Sequence, residues 1–171
     1  VEVIESWGVY QQGKIQEETE DECIDRHFRK FAEALKSFPK GSDFSAEARR
    51  ALKDCMHQFD RLTSDEALTA SMDAEYRLFK VAERQICQSE IIRVFRDVDD
   101  FLHTASSIMN RRKSRAGRAL ENHVEQALID ARIPHKMRPN IDGKPDVVIP
   151  SEVAYHDKNY PLDKLFIVGV K

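Results

Sequence analysis

The feature that most constrains this fold is a change of period along the chain. Up to about residue 131 the apolar residues recur at helical spacing, whereas beyond it two short apolar runs, Val147–Ile149 and Leu165–Val170, replace them. Phe28, Phe31, Ala32, Leu35 and Phe38 mark one helix face, and Pro39-Lys40-Gly41-Ser42 ends it. Leu52, Cys55, Met56 and Phe59 imply a second helix. Thr63-Ser64-Asp65-Glu66 has the form of a capping box, in which Thr63 satisfies free helix amides and Glu66 reaches back to the cap. It opens a long helical stretch carrying Leu78, Phe79, Ala82 and Ile86. Ile92, Phe95, Phe101, Leu102, Ala105, Ile108 and Met109 line a further one, broken near Arg96 to Asp99, and a last helix is expected from about Ser114 to Ala131. All these stripes are expected to be core. The fold class expected is therefore α/β, a helical N-terminal part followed by the start of a mixed-sheet core.

Length and charge narrow the setting. A chain of 171 residues can bury one sizeable core. Its net charge of -3 argues against a wholly basic nucleic-acid coat, but the charges are unevenly placed: the first 25 residues carry eight acids and one Lys, while Arg111 to Arg118 holds five cations in eight positions. Gln11 to Glu22 reads as a disordered linker or a solvated helix face. Cys23, Cys55 and Cys87 are odd in number and include no Cys-x-x-Cys pair, so neither a disulfide framework nor a zinc site is expected, and a reducing, cytoplasmic setting fits. Their equal spacing of 32 residues has unmatched flanks and reads as coincidence. No apolar run is long enough for a membrane span and no leader pattern is seen, so the chain reads as soluble, without a membrane partner. A start at Val1 without Met and an end at Lys171 in mid-strand read as a fragment.

Chemistry concentrates in the last third. Lys144-Pro145-Asp146 places a carboxylate at the opening of one apolar strand, and 25 residues later Lys171 closes the next. A carboxylate oxygen suits a hard divalent cation, and the Lys can stabilise phosphate charge or orient a water, the skeleton of a metal-dependent phosphodiesterase. Chance also supplies such spacings. Two positions before Lys171, where many nucleases carry a second acid, stands Gly169, so a further ligand must come from elsewhere. Glu121 is the natural donor, with Glu125 one turn on as its alternate. Tyr155-His156-Asp157 lies in the loop between the two strands. There Tyr155 can aim its hydroxyl at a phosphate, with His156 as helper, or the triplet can simply hold a turn, as Asp157 is expected to do. Arg111, Arg112, Lys113, Arg115 and Arg118 form either a solvated basic turn or a phosphate clamp at a helix start.

In their order and separations, Asn110-Arg111-Arg112-Lys113-Ser114-Arg115-Ala116-Gly117-Arg118-Ala119-Leu120-Glu121, Lys144-Pro145-Asp146, Ala154-Tyr155-His156-Asp157, Pro161 and Val170-Lys171 resemble the C-terminal catalytic domain of EcoRII-type restriction endonucleases. The resemblance is strong from about Asn110 to Lys171 and fainter upstream through Ala74-Glu75-Tyr76 and Val98-Asp99-Asp100-Phe101. It implies a restriction-endonuclease-like core of the PD-(D/E)xK type, Mg²⁺ dependence, and double-strand cleavage of a short CC/GG-flanked DNA site by a homodimer. It also implies active-site roles for Asp146, Lys171 and Tyr155, with Glu121 as the helix acid, and a second catalytic Lys with a base-reading segment beyond Lys171. Residues 63–171 are then the N-terminal portion of the catalytic domain, and residues 1–62 an acidic, mostly helical segment or linker. A same-fold DNA-binding or repair protein without site-specific cleavage is the alternative.

Overall fold

The structure, a computed structural model, describes residues 18–170. Helix α1 (Glu20–Glu33) begins inside the acidic stretch expected to be a linker. The cause is local: Thr19 caps it, its hydroxyl accepting from the Glu22 N–H at 3.2 Å while Glu22 accepts from the Thr19 N–H at 2.9 Å. Residues 11–17 of that stretch lie outside the described residues. Helix α2 (Gly41–Cys55) follows the Pro39 bend, and Phe59 then sits in a short 3-10 turn. Helix α3 (Ser64–Ile91) starts at the expected capping box, with Glu66 accepting from the Thr63 N–H at 2.8 Å.

Helix α4 (Val98–Asp130) departs most from the sequence reading. The interruption falls at residues 92–97, before Asp97 caps the new helix, and no second start occurs near Ser114. One helix of 33 residues, about 50 Å long at 1.5 Å per residue, runs through the whole basic segment. Arg and Lys are good helix formers, so a cluster of them does not interrupt a helix as Gly or Pro would. The expected core stripe at its start is also open: Phe101, Leu102 and Met109 are about half exposed, as is much of Ile92.

The core lies between α1, α2 and α3, with Phe28, Phe44 and Leu78 fully buried. Each such side chain is worth roughly 1.5–3 kcal/mol of burial. Phe44 meets Phe31 edge-on at 5.8 Å, and Phe38 stacks on Phe79 at 5.8 Å. This core is continuous across position 62, so α1 and α2 pack as part of the same body as α3. Deeper in, the fully buried His123 of α4 stands 2.8 Å from Glu75 of α3, in ion-pair contact but out of hydrogen-bonding alignment. Cys23 and Cys55 are bonded to each other, tying α1 to the end of α2, which corrects the expectation of unpaired thiols and removes the cysteine argument for a reducing setting. Cys87 is free and buried.

Past α4 the chain builds a three-stranded antiparallel sheet, β1 (Lys136–Met137), β2 (Val147–Ile149) and β3 (Phe166–Val168), in the order β1-β2-β3. Val147 and Val148 are fully buried, but β3 is exposed along its length. The Tyr155 segment is a short helix, α5 (Glu152–His156), capped by Ser151 and packed against β2, where a loop was expected. Asp157 is a turn residue as expected, accepting from the Asn159 N–H at 2.9 Å. Among the described residues no helix is long and apolar enough to cross a membrane.

Candidate active site

Asp146 stands at the entry to β2, and the sheet fixes it on both sides. Its N–H donates to Val168 O at 3.1 Å, and its carbonyl accepts from the Arg138 N–H at 2.7 Å. The carboxylate itself accepts from the Val170 N–H at 2.7 Å through Oδ2. The two ends of the expected Asp–Lys pair are thus drawn together as far as Val170, and Lys171 lies outside the described residues.

Glu121, on α4, is tied to Arg138, the residue whose backbone N–H meets the Asp146 carbonyl. The Arg138 Nε donates to Glu121 Oε2 at 2.9 Å, with a second, shorter bond from Nη2 to the same oxygen. Arg138 has φ 47°, a left-handed conformation that turns the chain sharply after β1 and lets its backbone serve Asp146 while its side chain serves Glu121. The bond to Glu121 holds the guanidinium pKa above its ordinary range, and the charges of Glu125 and Asp146 add to the effect. Nothing in the spacing of the sequence singles out Arg138; only its left-handed turn beside β1 makes it the bridge.

Two oxygens remain: Asp146 Oδ1 and Glu121 Oε1 accept no hydrogen bond among the described residues. Both side chains are partly exposed. Hard carboxylate oxygens of this kind suit Mg²⁺, which commonly takes one or two carboxylates and keeps several waters, so the donor set fits such an ion. Tyr155, on α5 beside β2, is half-buried, its ring edge-on to His156 at 5.1 Å.

The basic segment is organised differently from either reading of it as a turn. Arg112 forms a two-pronged pair with Glu83 of α3, both bonds at 2.7 Å, which holds the Glu83 carboxyl below its usual range. Arg111 pairs with Glu90 at 3.1 and 2.5 Å. Arg115 lies over the Phe44 ring at 4.2 Å and donates to Pro39 O at 2.5 Å, and burial lowers its pKa. Its Nη1 is buried without a partner among the described residues. Lys113 and Arg118 are exposed and make no ion pair there. A cavity of about 590 Å³ opens along this face, lined by Lys40, Asn110, Arg111, Ser114, Arg115 and Arg118 among others.

The family model described as EcoRII C terminal matches residues 79–171, from within α3 to the end of the chain. The chain belongs to the EcoRII C-terminal family. The type II restriction enzyme EcoRII of Escherichia coli is 35% identical over 137 residues, which cover 78% of this chain and 33% of that enzyme. The chain therefore spans about a third of the length of this curated relative. Glu121, Arg138, Asp146 and Tyr155 all fall within the EcoRII C-terminal match, as does the basic segment, whereas α1 and α2 lie before it. The family model thus covers the part of the chain that holds the acids.

Proposed function

We propose that the protein carrying this chain is a type II restriction endonuclease that hydrolyses DNA phosphodiester bonds with Mg²⁺ and makes double-strand cuts at a short CC/GG-flanked site. The observation that carries the reading is that Glu121 is tied to the Arg138 side chain and Asp146 to the Arg138 backbone, each acid with one oxygen left over, within a chain of the EcoRII C-terminal family. Asp146 and Glu121 would hold the metal. When bound, Mg²⁺ polarises a phosphoryl oxygen and makes water a better nucleophile at neutral pH.

The chain's own residues do the rest. The sheet holds the Asp146 carboxylate in a fixed direction through the Val170 N–H, so that little reorganisation is needed when a phosphate arrives. Lys171 would supply a cation to the charge that builds on the phosphate. Tyr155 supports the same phosphate from α5 through its hydroxyl. For the DNA backbone, Arg118 offers donors at the cavity and Lys113 a further exposed cation, while Arg111 and Arg112 hold that face to α3. The half-exposed Phe101, Leu102 and Met109 favour a homodimer whose two sites each cut one strand of a nearly palindromic sequence. The setting is the cytoplasm, where restriction defends the cell against incoming DNA.

A plasmid-cutting assay of the full-length protein with Mg²⁺ tests the reading. Discrete bands are expected. A smear would point to a structure-directed nuclease, and DNA binding without any cutting would point to a same-fold DNA-binding protein; either result overturns the proposal.

A further inference from the structure

Away from the acids, α1 and the end of α2 gather a second set of ligand groups. Cys23 and His27 stand one turn apart on α1, Cys55 closes α2, and one ligand atom from each lies within 4.8 Å of the others. Asp54 is next to them, its Oδ2 4.0 Å from His27 Nε2. Cys55 is buried, and Cys23 and His27 are half-buried. Two sulfurs and an imidazole make a donor set suited to tetrahedral Zn²⁺ with a water as fourth ligand, and poorly suited to Mg²⁺.

In this structure the two sulfurs are bonded to each other. A metal would require them to separate only to about 3.8 Å, the span of two 2.3 Å Zn–S bonds at a tetrahedral angle. An entry path exists: a cavity of about 510 Å³ is lined by His27 and Asp54, together with Arg26, Lys30, Glu47 and Arg50. The cations there oppose an incoming metal, but Glu47 is paired with Arg50, and Arg26 is held by Glu18 at 2.8 Å. Arg26 Nη2 also stands 3.5 Å from Cys23 Sγ.

We propose that Cys23, His27 and Cys55, with water in the fourth position, form a redox-gated zinc site, closed as a disulfide when oxidised and able to take Zn²⁺ when reduced. The exchange balances. Two equivalents of a small thiol deliver two electrons, break the S–S bond, leave as their own disulfide and yield two cysteine thiols. Zn²⁺ then binds the two thiolates, releasing their two protons, and the neutral His27 ring. Either state ties α1 to the end of α2, so the helical body keeps its cross-link in both oxidising and reducing surroundings. The proposal does not depend on the nuclease reading.

Zinc content of the full-length protein, free of any histidine tag, provides the test. The protein is reduced with a phosphine, cleared of it without oxygen, equilibrated with Zn²⁺ and gel-filtered. The reduced protein is expected to hold one more zinc per chain than the Cys23→Ser variant or the oxidised protein. His27→Ala should weaken binding at least tenfold against a chromophoric chelator, and Cys87→Ser should change nothing. Equal zinc in the reduced protein and in Cys23→Ser overturns the proposal. Should that variant not fold, Co²⁺ added to the reduced wild type decides instead. A thiolate-to-cobalt charge-transfer band with intense tetrahedral visible bands is expected, and their absence overturns the site.

Discussion

The cations of α4 and the acids where α4 meets the sheet have opposite fates. Arg111 and Arg112 spend their charge on Glu90 and Glu83 of α3, and Arg115 is packed among phenylalanine rings. Glu121 and Asp146 are each engaged through one oxygen and keep the other. A count of charges along the sequence would rank the basic segment as the more available of the two. In the structure Arg111 and Arg112 face α3 and its glutamates, while Glu121 and Asp146 each keep one carboxylate oxygen without a hydrogen bond among the described residues.

The helical body should tolerate little, and the largest effect is expected there. Phe44→Ala removes a fully buried ring and should cost about 3–5 kcal/mol in denaturant unfolding. A loss below about 1 kcal/mol would mean that the core is not closed around it. Next, Arg112→Ala strands the Glu83 carboxylate and should lower the denaturant midpoint by less than Phe44→Ala does, since the arginine is partly exposed. Arg118→Gln is the contrasting change. Its stability should move by no more than about 0.5 kcal/mol, while DNA affinity falls and the slope of log affinity against log salt becomes shallower by about 1. If Arg112→Ala left stability intact and reduced the salt slope as Arg118→Gln does, the distinction between held and available cations would fail.

The smallest effect concerns the start of α4. Asp100 pairs with Arg93 at 2.7 Å and accepts from the Arg96 N–H, and these bonds, the Arg93 bond first, lower its pKa from 3.8 to about 2. A carboxyl depressed by folding stabilises the folded state above its unfolded pKa, and that stabilisation is lost as pH falls through the folded value. Asp100→Asn should therefore flatten the acid limb of stability between pH 4 and pH 2, and leave the curve above pH 5 parallel to wild type.

Much of this was legible in the sequence where the signal is local. The Thr63 capping box, the strand after Pro145 and the turn role of Asp157 each depend on residues within four positions, and each forms as read. The ordered motifs from Asn110 onward carried the family. Features that depend on distant partners were not legible. The continuity of α4 depends on what its arginines meet on α3, and Gly117 within it costs the helix only about 1 kcal/mol. Periodicity places Phe101 and Leu102 on one helix face but cannot say whether a neighbour covers that face, and none of the described residues does so fully. The Cys23–Cys55 bond joins residues 32 apart through the packing of two helices, and Arg138 owes its role to a left-handed turn.

The central claim, that Asp146 serves a metal rather than the fold alone, is tested most directly by Asp146→Asn in the full-length protein. The amide keeps the shape and can still accept from the Val170 N–H, but it gives up the charge that a divalent cation needs. With Mg²⁺ and DNA at equal occupancy of wild type and variant, confirmed by a binding assay, cleavage is expected to vanish while DNA binding stays within a few-fold of wild type, on the order of 1 kcal/mol. Cleavage by Asp146→Asn at the wild-type rate would contradict the account.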